Sequence, residues 1–199
     1  MSKGGVKDKT LITIVFDMSG SMAKGKKTVV KNVVKSLLVD AALTADKVCF
    51  ISMHGRFAKR IFDFTATMPE AEAAIEKESF GGTTPLASGI FLGMNTLETS
   101  LKKYGDEYEA LFVICSDGDS NVPIGIGANI KRELDIKLRT LRNADHINKM
   151  FIDISDDGAQ EARDLAHKSA AKYFHAGGAN DTKIYQFIKS ARNRITRRF

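Results

Sequence analysis

Three short runs, Leu11–Phe16, Leu111–Cys115 and Met150–Ile154, are apolar at nearly every position, with no polar alternation. A strand with one wet face alternates apolar and polar residues. A strand without alternation is buried on both faces, so helices must cover both sides of its sheet. Between these runs lie segments of helical period. Residues 26–43 place Val29, Val30, Val33, Val34, Leu37, Leu38 and Ala41 on one face. Residues 86–101, 129–142, 159–171 and 181–191 also read as helices, and Pro69 opens a short acidic one. Residues 48–53 and 57–62 read as a strand pair across His54-Gly55, and residues 173–175 as a short strand. The expected fold class is α/β: a doubly wound, mostly parallel central sheet with one antiparallel edge strand and helices on both faces.

A sheet of this kind binds ligands outside the carboxyl ends of its strands, where the strand order reverses. The first apolar run ends in Asp17-Met18-Ser19-Gly20-Ser21, and the second leads through Ser116 to Asp117-Gly118. A carboxylate followed by hydroxyls at spacing two offers three hard oxygen donors from one loop. Gly81-Gly82-Thr83-Thr84-Pro85 can bring a further hydroxyl, with Thr83 and Thr84 as alternatives. The candidate metal ligands are therefore Asp17, Ser19, Ser21, Thr84 and Asp117. Hydroxyls and carboxylates suit Mg2+, with Mn2+ or Ca2+ as substitutes. Neutral hydroxyls leave the cation's charge incompletely quenched, so a carboxylate from outside could complete its shell. Ser19 and Ser21 could instead cap the following helix.

These residues carry a family resemblance. Phe16-Asp17-Met18-Ser19-Gly20-Ser21-Met22, Gly82-Thr83-Thr84-Pro85-Leu86-Ala87-Ser88-Gly89 and Ser116-Asp117-Gly118-Asp119-Ser120-Asn121-Val122-Pro123 resemble a von Willebrand factor type A domain with a complete metal-ion-dependent adhesion site. Within that family they are most similar to the domain at the end of magnesium-chelatase D and cobalt-chelatase subunits. The resemblance implies a magnesium-dependent, non-catalytic protein-docking surface. It also implies a partner that supplies an aspartate or glutamate, such as a hexameric AAA+ ATPase of the chelatase or MoxR-like kind. The chain itself has no ATPase-like domain and no long acidic linker.

The 199 residues, 43% of them hydrophobic, suffice for one domain, read as residues 11–190 after a flexible lead of residues 1–10. No apolar run reaches membrane-spanning length, and no apolar leader stands at the start. Cys49 and Cys115 lie within apolar runs and read as reduced core residues, which points to the cytoplasm. The formal charge of +6 concentrates near the end, where Lys183, Lys189, Arg192, Arg194, Arg197 and Arg198 follow one another without an acid. Residues 191–199 read as a basic tail able to touch nucleic acid, or simply as a solvated helix end.

Rival chemistries have partial signatures. Gly20 to Thr28 nearly spells a phosphate-binding loop, but Lys27 stands where the hydroxyl belongs. Lys24, Lys26 and Lys27 otherwise read as a solvated helix start. A metal-dependent phosphohydrolase using Asp17 would lack an acid two positions on, where Ser19 stands. His54, His146, His167 and His175 show no metal or catalytic spacing. Arg56, Asp119, Ser120 and Asn121 are candidates for the rim of the metal crevice.

Overall fold

The computed structural model describes residues 7–20, 23–65 and 67–196. Six strands form one sheet in the order β3-β2-β1-β4-β5-β6. The central β1 (Lys9–Asp17) runs parallel to β2 (Lys47–His54) on one side and β4 (Tyr108–Ser116) on the other. Beyond β4, β5 (Asn148–Asp153) and β6 (Lys172–His175) continue in parallel. At the opposite edge β3 (Phe57–Phe62) pairs antiparallel with β2. The mostly parallel sheet with one antiparallel edge strand is as expected.

The absence of alternation in the strands has a direct cause. Successive residues of β1 feed opposite cores. Leu11 and Val15 pack with Leu86 and Ile90 of α3 (Leu86–Tyr104), Leu138 of α4 (Ile130–Arg142) and Leu165 of α5 (Gln160–Lys168). Ile12, Ile14 and Phe16 join Val33 and Leu37 of α1 (Ala23–Thr44), Ile75 of α2 (Met68–Lys77) and Ile188 of α6 (Asp181–Thr196). β4 divides in the same way, with Phe112 and Ile114 on the first side and Leu111, Val113 and Cys115 on the second. Each such side chain contributes roughly 1.5–3 kcal/mol when fully buried.

Helix α3 lies unusually close to the sheet. A Cβ on Gly89 would collide with Met53 Sδ and stand 2.8 Å from Val15 Cγ1. One turn on, a Cβ on Gly93 would meet Phe112 at 2.7 Å. This glycine pair lets α3 seat its amino end, and the loop before it, against β1.

The chain moves from β1 to β2 in one direction across the sheet and from β4 to β6 in the other. The strand order therefore reverses between β1 and β4, and a crevice opens at their carboxyl ends.

At the far end of the molecule α6 runs on through residues 191–196, which the sequence reading assigned to a basic tail. Ile195 is buried, and Arg192 donates to both carboxylate oxygens of the buried Asp46, at 2.7 and 3.1 Å. Arg192 also donates to the carbonyl of Asp8. A planar guanidinium makes this two-pronged contact, which fastens α6 to the sheet. Residues 197–199, and residues 1–6 of the lead, lie outside the described residues. Among the described residues no helix is long and apolar enough to cross a membrane.

Candidate metal centre

Three of the candidate ligands form one continuous hydrogen-bonded chain. Ser19 donates its backbone N–H to Asp17 Oδ1 at 2.9 Å and its hydroxyl to the same oxygen at 2.5 Å. Thr84 then donates its hydroxyl to Ser19 Oγ at 2.7 Å. Asp17 is fully buried, and Ser19 and Thr84 are 8% and 2% exposed. The neighbouring hydroxyl is turned away, since Thr83 Oγ1 donates to the carbonyl of Gly55 at 2.6 Å. Of the two threonines, Thr84 is therefore the one that faces the crevice.

Local folding sets these positions. Asp17 is the last residue of β1, held in register with Met53 of β2. Met18 N–H bonds to the Met53 carbonyl at 2.9 Å, and Gly20 N–H to the Gly82 carbonyl at 3.2 Å. The first loop is thus stitched to the strand beside it and to the threonine loop. Asn121 clamps the threonine from the other side. Its side-chain oxygen accepts from Thr84 N–H at 2.8 Å, and its own N–H donates to the Thr84 carbonyl at 3.3 Å.

Asp117 stands at the edge of the same crevice, half-buried, one residue past the end of β4. Its Oδ1 accepts from Asp119 N–H at 3.1 Å. Of the expected rim residues, Asp119 is exposed, whereas Asn121 is the clamp already described. Ser21 lies outside the described residues.

Two participants were not foreseen in these roles. Ser116 Oγ accepts from Gly118 N–H at 3.1 Å and donates a long bond to Asp17 Oδ2 at 3.4 Å, bridging the two strand ends. The clue was a hydroxyl at the last position of an apolar strand. Its significance depends on β4 lying beside β1. The second is Lys26, read from sequence as part of a solvated helix start. Its ammonium donates to the Ser19 carbonyl at 3.1 Å and lies 4.0 Å from Asp17 Oδ1, with only 15% of the side chain exposed.

Burial pushes the Asp17 carboxyl above the usual carboxylate range. The Lys26 ammonium and the two Ser19 hydrogen bonds pull it back, and the charge of Asp117 adds to the rise. The centre is thus short of positive charge and rich in hard oxygen atoms. The donor set fits a small hard divalent cation: Asp17, Ser19 and Thr84 already touch, and Asp117 adds a second negative charge. Among the described residues no three His, Cys, Asp or Glu side chains gather in one place. His146 pairs with Glu98, and His175 contacts the Ser155 carbonyl.

Beyond β5, the fully buried Asp153 is occupied by structure. It accepts from Ser155 N–H, Ala159 N–H and Tyr173 O–H at 2.9, 2.8 and 2.7 Å.

Comparison with known proteins bears on the family and the fold. The family model for the von Willebrand factor type A domain matches residues 12–187. A magnesium-chelatase 67 kDa subunit of Chlorobaculum tepidum is 29% identical over 191 residues, covering 90% of this chain and 30% of that protein. A magnesium-chelatase 60 kDa subunit of Cereibacter sphaeroides is 26% identical, covering 92% of this chain and 33% of that protein. This chain therefore spans about a third of the length of these relatives. Among solved structures, the SpRpn10 VWA domain superposes with a TM-score of 0.61 at 11% identity, covering 91% of this chain and 94% of that one. At that identity the likeness concerns the fold.

Proposed function

Because the chain belongs to the von Willebrand factor type A domain family, we propose that it is a non-catalytic docking module that holds one Mg2+ ion and captures a carboxylate of a partner protein. The observation that carries this reading is the chain of contacts from Thr84 through Ser19 to Asp17 at the reversal point of the sheet. Asp17, Ser19 and Thr84 would hold the cation. Asp117 would contribute from the rim, and Ser21 is proposed as the remaining ligand. Mn2+ or Ca2+ would substitute. When bound, the cation supplies a hard positive centre to which an outside aspartate or glutamate can bind.

This chain's residues set the terms of that capture. Ser19 and Thr84 are neutral, so two of the proposed donors leave the cation's charge in place. Asp17 is buried and would anchor the ion. Asn121 holds Thr84 in position through its backbone. The similarity to magnesium-chelatase subunits supports a place in a multi-subunit assembly; the partner proposed is a hexameric AAA+ ATPase of the chelatase or MoxR-like kind, and the location proposed is the cytoplasm.

The phosphate-binding alternative needs a hydroxyl where Lys27 stands, and that side chain is engaged elsewhere. Lys27 does not face the crevice: its ammonium is held by the carbonyls of Glu76 and Glu78 at 2.7 and 3.3 Å. The nucleic-acid reading loses Arg192, bound to Asp46, and Lys189, paired with Asp40 at 2.9 Å.

The test is capture from native lysate on immobilised protein, with Mg2+, with EDTA, and with Asp17→Ala in Mg2+. The reading expects a partner retained only by the unaltered protein in Mg2+. The same partner recovered equally in all three arms overturns it.

A further inference from the structure

A lysine on the second turn of a helix normally lays its stem along the surface and keeps its ammonium in water. Lys26 does the reverse. Its ammonium turns inward, bonds to the Ser19 carbonyl, and comes within 4.0 Å of the Asp17 oxygen that already accepts from Ser19 N–H and Oγ–H. Among the described residues no other lysine, arginine or histidine lies within ion-pair range of Asp17. A fully buried carboxylate without a counter-charge is strongly unfavourable, and this ammonium answers that need.

We propose that Lys26 is a tethered counter-ion of the cation site: it balances Asp17 while no divalent ion is held, and competes with that ion for the same carboxylate. The proposal rests on the metal reading above and deepens it by naming the residue that sets metal affinity. The physical argument is one of charge. A divalent ion on Asp17 Oδ1 and Ser19 Oγ would stand within a few ångströms of the ammonium, in a crevice where water screens poorly. The two positive centres repel, so cation binding must displace Lys26 toward solvent. Its flexible four-carbon stem permits that movement. A displaced ammonium then lies at the rim, where it can meet the incoming acid of a partner.

Two consequences of opposite sign follow. Removing the charge should strengthen cation binding, and the same change should weaken the metal-free protein by leaving Asp17 uncompensated. The experiment is Mg2+ titration calorimetry, with melting curves in EDTA and in saturating Mg2+. It compares wild type, Lys26→Met, Lys26→Gln, Lys26→Arg and the exposed control Lys35→Met. Lys26→Met is expected to lower the Mg2+ Kd by about tenfold or more. It should also melt lower than wild type in EDTA and show the larger rise on adding Mg2+. Lys26→Gln makes the same comparison if the methionine variant does not fold. Lys26→Arg should stay within about threefold of wild type, because the charge is kept. A wild type that binds Mg2+ alongside neutral Lys26 variants that bind it no better overturns the counter-ion role and leaves the metal reading standing. If neither wild type nor the neutral variants respond to Mg2+, both readings fall.

Discussion

Thr84 donates its hydroxyl to Ser19 Oγ at 2.7 Å, joining two loops 65 positions apart at one buried point. Ser19 passes the contact on to Asp17, so the loop before α3 and the end of β1 share one polar chain. The close approach of α3 at Gly89 and Gly93 holds the threonine loop near enough for this bond.

That relationship gives the first prediction. Thr84→Ala removes one oxygen donor and the hydrogen bond that Ser19 Oγ accepts, while the Ser19 hydroxyl keeps its bond to Asp17. It should weaken Mg2+ binding by about tenfold, with about 1 kcal/mol lost from stability. Thr84→Ser keeps the oxygen and should bind Mg2+ close to wild type. Titration calorimetry on the two variants checks both, and equal losses in the two would show that the oxygen does not matter.

Asp153 carries a prediction about pH. Burial pulls its carboxyl upward, but the hydrogen bonds from Ser155, Tyr173 and Ala159 outweigh that and hold it below the usual carboxylate range. A lowered folded value means that the ionised form is favoured by folding. Its contribution is therefore complete above the unfolded value of about 4 and is lost as pH falls through the lower folded value. Asp153→Asn should cost about 2 kcal/mol at neutral pH, and the gap from wild type should close in strong acid. Urea denaturation of both proteins across the acid range measures it.

The helix–sheet contact is equally testable. Gly89→Ala would force a methyl group into Met53 and Val15, so α3 must lift or the sheet must shift. The expected loss is about 1–3 kcal/mol. Mg2+ affinity should fall as well, because the loop that presents Thr84 is carried by this helix. Denaturation and calorimetry together separate a local repacking from a displaced threonine.

Much of this architecture could be read from the sequence, for physical reasons. Leu11–Phe16 and Leu111–Cys115 lack alternation because both their faces are covered, and each run leads to an aspartate at the ligand-binding end. The choice between Thr83 and Thr84 could not be read, because both hydroxyls sit in one flexible-looking loop. The Gly55 carbonyl, 28 positions away from Thr83, holds that hydroxyl out of the crevice. Ser116 gains its role only when β4 takes its place beside β1, a pairing no local pattern encodes. Arg192 looked like part of a solvated tail because Asp46, its partner, lies 146 positions earlier. Lys26 was hidden for a related reason: a lysine near a helix start is usually wet, and only the folded loop brings the Ser19 carbonyl and Asp17 beneath it.

Asp17 is proposed to anchor one divalent cation among hydroxyl donors. Mn2+ binding followed by electron paramagnetic resonance, with Mg2+ as competitor, tests it most directly on wild type and on Asp17→Ala. Wild type should take up one Mn2+ per chain, displaced by Mg2+, and an Asp17→Ala protein that retains its fold by circular dichroism should bind none specifically. Equal Mn2+ uptake by the two proteins, or none by either, would contradict it.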